Sequence, residues 1–162
     1  MVSLSRQPVK KLLGYAVRAE IGSEKAYSRM AARVKNPLLQ EKFRILALEE
    51  KKHKEVLENL FASLYSGEKM PIPDCVDERL LPAVVPRPSS SLAEILEQAM
   101  AAEKAAQYFY ASLARRVRAG KKEILEYLSK VERSHFLMLR SEYTLAQQFE
   151  DYAEKDIDKV IT

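Results

Sequence analysis

Glycine, proline and cysteine are scarce in this chain. Only 4 of its 162 residues are glycine, and five of its 7 prolines lie between residues 71 and 88. Long stretches are therefore free of helix-breaking residues, which favours an all-α fold. A single cysteine, Cys75, cannot form a disulfide within the chain and excludes a four-cysteine iron or zinc site.

The sequence also lacks a membrane-length apolar run, an apolar signal segment near residue 1 and any block of like charge. A membrane span needs about 18 or more consecutive apolar residues, so we expect no membrane partner and a cytoplasmic location. The 27 basic and 23 acidic residues are scattered along the chain without a basic stripe of interleaved aromatics. We therefore expect no nucleic-acid partner.

Four segments have the length and the apolar periodicity of α-helices. Within one domain spanning 1–162, we predict helices at about 9–35, 38–66, 91–118 and 121–150 and a C-terminal tail at 151–162. The proline-rich stretch 68–90 becomes a long crossover connection. Because the other connections are short, each hairpin is antiparallel, and the predicted fold is a four-helix bundle of two helical hairpins.

The two halves of the sequence repeat each other. Offsets of 83 and 82 residues align four pairs of residues: Glu20 with Glu103, Tyr27 with Tyr110, Glu50 with Glu132, and His53 with His135. The 2 histidines of the chain therefore occupy equivalent positions, each three residues after a glutamate. We expect the paired tyrosines to hydrogen-bond carboxylates on a neighbouring helix, with participation in redox chemistry as the alternative.

Six of the paired residues fall on helix faces that are otherwise apolar. Counted from the turns at 36–37 and 119–120, they lie at similar depth, because antiparallel helices rise equally per residue. The six residues are Glu20, Glu50, His53, Glu103, Glu132 and His135.

Four carboxylates buried at one depth would repel each other strongly, and two divalent cations would remove that repulsion. A Glu-x-x-His pair presents an oxygen and a nitrogen donor from one helix face, and this mixed ligation suits iron or manganese. One such pair often arises by chance, and an inward Glu or His is frequently part of a hydrogen-bonded core. The repetition in both halves favours a two-metal centre.

These residues resemble the metal-binding pattern of rubrerythrins and ferritin-like di-iron proteins. The resemblance rests on Ala19-Glu20 to Tyr27 and Leu48-Glu49-Glu50-Lys51-Lys52-His53, and on their second copies, Ala101-Ala102-Glu103-Lys104 to Tyr110 and Val131-Glu132-Arg133-Ser134-His135. It implies a ferritin-like bundle that binds two iron ions, as Fe2+ or Fe3+, with manganese or mixed occupancy as the alternative.

The resemblance also implies roles for the ligands. Glu50 and Glu132 would bridge the metals, His53 and His135 would each cap one, and Glu20 and Glu103 would be terminal ligands. The four glutamates would then act in catalysis as well as in binding.

Two departures from the rubrerythrin pattern limit what carries over. A rubredoxin-like domain with four cysteines is absent, so electrons must come from another protein, such as a rubredoxin-like donor. Ala106, one turn after Glu103, stands where those proteins carry an extra carboxylate. A peroxide-driven shift of the metal is therefore not expected here.

The leading hypothesis for function is a di-iron oxidoreductase that reduces peroxide or dioxygen in defence against oxidative stress, as a homo-oligomer, most simply a dimer. The alternative is a ferroxidase that stores or handles iron, which requires assembly into a shell. A third possibility is a helical interaction module without catalysis.

Overall fold

The computed structural model describes residues 7–153, with side chains described through residue 148. In that range the chain forms four α-helices and no strand: α1 (Val9–Arg33), α2 (Pro37–Leu64), α3 (Leu92–Ala114) and α4 (Lys122–Ala153). Helix α1 packs along α2, and α3 packs along α4. The predicted all-α bundle is confirmed. Helix α4 enters the segment predicted as a tail, and the rest of that segment lies outside the described residues.

The beginnings of α2 and α3 are set by side-chain caps. The Asn36 side chain accepts hydrogen bonds from the backbone N–H groups of Leu38 and Leu39, at 2.9 and 3.2 Å. At α3, Ser91 and Glu94 form a reciprocal capping box. Such caps satisfy amide groups that a helix cannot pair internally, so they define where each helix starts. They thereby determine the depth at which Glu50 and Glu103 lie.

Helix α3 ends earlier than the sequence pattern suggests, at Ala114 rather than near residue 118. The backbone N–H groups of Arg116 and Val117 bond to carbonyls three residues earlier, at 2.9 and 3.3 Å. This tighter spacing closes the helix into a turn. Gly120, with φ of 85°, then reverses the chain into α4.

The crossover connection lies against its own bundle. Leu81 is buried in the core, and Leu80 and Val84 pack at its edge. A β-carbon at Gly14 on α1 would lie 2.0 Å from the carbonyl oxygen of Pro71, so only glycine permits this approach of the connection to α1. The connection therefore covers one side of the bundle.

The apolar core consists of two clusters. One cluster includes Leu13, Leu57 and Leu128, and the other includes Phe43 and Leu139. In each helix the two clusters lie on opposite sides of the buried polar residues described below. No segment of the four helices, within the described residues, combines the length and hydropathy of a membrane span.

Candidate metal centre

Six buried polar side chains from all four helices meet in one layer between the two apolar clusters. Each is at most 5% exposed. This donor layer consists of Glu20 from α1, Glu50 and His53 from α2, Glu103 from α3, and Glu132 and His135 from α4. The structure thus brings together all six residues that the repeat singles out.

The donor layer divides into two overlapping groups. The first donor group is Glu20, Glu50, His53 and Glu132, and the second is Glu50, Glu103, Glu132 and His135. Within each group, one potential ligand atom per residue lies within 4.8 Å of the others. Glu50 and Glu132 belong to both groups, so two cations bound here would share them.

The histidine rings present their Nδ1 atoms to these carboxylates. Nδ1 of His53 lies 3.0 Å from Oε1 of Glu132. Nδ1 of His135 lies 3.2 Å from Oε1 of Glu50 and 3.2 Å from Oε2 of Glu132. The two rings stack with their centroids 5.5 Å apart.

Despite these short distances, several of the buried atoms make no hydrogen bond of acceptable geometry to any described residue. They are Oε1 of Glu50, both carboxylate oxygens of Glu132, and Nδ1 of His53 and of His135. Buried polar atoms are nearly always paired, because an unpaired one loses its hydration without compensation. A pair of divalent cations would supply the missing partner for every one of them, so the donor set fits a two-metal centre.

Two tyrosines hold the outer carboxylates. The hydroxyl of Tyr27 on α1 donates to Oε1 of Glu103 on α3, and that of Tyr110 on α3 donates to Oε1 of Glu20 on α1. Each hydrogen bond therefore crosses from one hairpin to the other. These two hydrogen bonds orient Glu103 and Glu20, the carboxylates that each belong to only one donor group.

A family model for rubrerythrin matches residues 11–143, which include the whole donor layer. The chain belongs to the rubrerythrin family. A solved structure of a hypothetical protein from Pyrococcus furiosus is similar, with 33% identity and a TM-score of 0.79, covering 91% of this chain and 95% of that one. No curated protein matches the chain. The family resemblance of the sequence is thus confirmed, and the buried Glu and His cluster is compatible with an iron site.

The charges in this rubrerythrin-family layer compete for protons. Burial and the nearby Glu50 raise the pKa of both Glu20 and Glu103 well above the ordinary value. Burial alone would lower the pKa of His53, but the surrounding carboxylates outweigh it and raise the pKa to about 12. They raise the pKa of His135 in the same way. Cations must displace the protons that these groups carry at neutral pH, so metal affinity rises with pH.

Glu49 is a contact of the layer that sequence reasoning missed. Its Oε2 atom lies 2.7 Å from Nε2 of His135. A proton on Nε2 that is donated to Glu49 leaves Nδ1 of His135 free to bind a cation. The repeat places Val131 at the equivalent position, and His53 has no such partner among the described residues. The two halves of the centre therefore differ.

We expect Glu49→Leu to weaken the metal position beside His135 by about 10- to 100-fold, the usual cost of losing a group that orients a metal-binding histidine. The position beside His53 should keep its affinity. Titration with Co(II) in competition with a chelating indicator measures both affinities. Glu55→Leu, on an exposed part of α2, is the matched control. Equal weakening at both positions would contradict the asymmetry.

Proposed function

We propose that this rubrerythrin-family protein is a di-iron oxidoreductase that reduces peroxide or dioxygen. The observation that carries the proposal is the pair of donor groups sharing Glu50 and Glu132 in a buried layer. A shared pair of carboxylates places two cations side by side, where one small oxidant can reach both.

The charge of the donor layer supports a pair of divalent ions. Once cations displace the protons, four carboxylates carry four negative charges, and two neutral imidazoles add nitrogen donors without charge. Two divalent cations balance this set, and its mixed oxygen and nitrogen donors suit iron, with manganese as the alternative. When bound, a diferrous pair supplies the two electrons that a peroxide needs.

The protein's own groups prepare the site for this chemistry. Glu50 and Glu132 hold the two positions together, while Tyr27 and Tyr110 keep the outer carboxylates oriented toward them. The apolar clusters cover the layer on both sides along the bundle axis. We propose a rubredoxin-like donor as the source of returning electrons, because the single cysteine in these 162 residues cannot hold a four-cysteine iron centre.

Anaerobic loading with Fe(II) followed by H2O2 tests the proposal. We expect the absorption of an oxo-bridged diferric pair to develop at least about 100-fold faster than oxidation of the same concentration of free Fe(II). Two iron ions held side by side do not first have to meet in solution. Oxidation no faster than that of free iron would rule out the proposal.

Size-exclusion chromatography of the same sample separates this function from iron storage. A small oligomer, most simply a dimer, accords with the oxidoreductase. A hollow shell of many subunits that retains ferric iron would favour the ferroxidase alternative.

A further inference from the structure

A cavity of about 270 Å³ connects the protein surface with the donor layer. Its outer lining includes Lys25 and Cys75, which are exposed, and its inner lining includes Glu50 and Glu132, which are buried. These two inner residues carry three oxygen atoms without a hydrogen-bond partner among the described residues, two on Glu132 and one on Glu50. The inner end of the cavity is therefore the approach to the proposed metal pair.

Part of the cavity wall is apolar. The crossover connection contributes Leu81, Pro82 and Val84, and α3 contributes Ala102 and Ala106. Ala106 lies one turn beyond Glu103 and presents only a methyl group. A larger side chain at this position would fill the space beside the donor layer.

The cavity is larger than hydrogen peroxide or dioxygen requires. A cavity of about 10–15 Å³ holds one water molecule, whereas binding sites for small organic molecules begin near about 300 Å³. The observed volume is close to the second figure. An apolar wall beside a polar, metal-binding end matches a molecule that has an alkyl or aryl group at one end and oxygen atoms at the other.

We propose that this cavity binds organic hydroperoxides, ROOH, with the R group against Ala106 and the connection and the peroxide group at the donor layer. This proposal rests on the proposed function for its chemistry. In the reaction ROOH + 2 e⁻ + 2 H⁺ → ROH + H2O, the O–O bond breaks and the protons come from water. The electrons come from oxidation of the bound ferrous pair to the ferric state, and the rubredoxin-like donor restores them.

The substrate preference of Ala106→Leu tests the proposal against that of Ala101→Leu, an exposed position on the same helix. We expect the native protein to reduce cumene hydroperoxide with kcat/KM within about tenfold of the value for H2O2. In Ala106→Leu the ratio of these two kcat/KM values should fall at least about tenfold, the effect of a few methylene groups in a tight pocket. Ala101→Leu should leave the ratio unchanged.

Binding of the product alcohol gives a readout without turnover. We expect 2-phenyl-2-propanol to shift NMR signals of cavity residues in Zn(II)-treated and in metal-free protein, and Ala106→Leu to weaken this binding at least about tenfold. Ala83→Trp obstructs the same cavity from the exposed side of the connection and should have the same effect if Ala106→Leu folds poorly.

The outcomes separate the two proposals. Reduction of H2O2 without reduction of cumene hydroperoxide, together with no binding of the alcohol, would overturn the hydroperoxide proposal and leave the proposed function standing. The alcohol could instead bind, with both obstructing variants weakening the binding, while no peroxide is reduced. That result would support the cavity as a site for organic ligands. It would overturn both the hydroperoxide reaction and the proposed function.

Discussion

Glu50→Ala should remove both metal ions, whereas Glu20→Ala should remove only one. Glu50 contributes to both donor groups, while Glu20 contributes to the first group alone. Losing a shared carboxylate leaves each position with three protein donors and removes the link between them. Losing Glu20 leaves the second donor group complete. Elemental analysis after anaerobic loading with Fe(II) and gel filtration measures the difference as metal ions per chain.

Two controls make that comparison informative. Glu55→Ala changes an exposed glutamate on the same helix as Glu50 and should retain two ions. Far-UV circular dichroism should show the helix content of the native protein in all three variants, because both apolar clusters remain intact. Two retained ions in Glu50→Ala, or equal losses in Glu50→Ala and Glu20→Ala, would contradict the sharing of Glu50.

Metal loading should raise the melting temperature by about 10–20 °C. At a free metal concentration of 100 times Kd, each bound ion stabilises the native state by about 2.7 kcal/mol, so two ions contribute about 5 kcal/mol. For a chain of this size, 1 kcal/mol shifts the melting temperature by about 2–4 °C. Differential scanning calorimetry of loaded and chelator-treated protein measures the shift.

The same measurement on Glu50→Ala should show almost no dependence on metal. A native protein that melts at the same temperature with and without metal would show that no cation binds the folded donor layer in preference to the unfolded chain. The size of the shift also reports the repulsion among buried carboxylates that the cations relieve.

The donor layer was predictable because the sequence shows charged residues at positions where burial is energetically unfavourable. A glutamate within an apolar helical stripe is unfavourable unless something compensates it, and the chain repeats this anomaly in both halves at Glu20 and Glu103. Counting residues from the turns then gives their common depth. The capping residues Asn36 and Ser91 place α2 and α3 in the register on which that count depends.

Features that depend on how the hairpins pack could not be predicted in the same way. Glu49 reads as a surface residue, and its side chain is in fact 40% exposed, yet it reaches His135 on a helix of the other hairpin. Its position directly before Glu50 was the sole signal, and the second copy has Val131 there. The early end of α3 and the cavity beneath the connection likewise follow from tertiary packing.

The crosswise arrangement of the layer has a mechanical consequence. Each donor group takes side chains from both hairpins, and the tyrosine hydroxyls bond across the same boundary. The backbones of α1 and α2 approach each other closely, as do those of α3 and α4, whereas the two hairpins meet mainly through side chains. An ion bound in either donor group would therefore cross-link the two hairpins. Removing the ions should weaken the association of the two hairpins, while the apolar clusters, which take side chains from both, keep the bundle assembled.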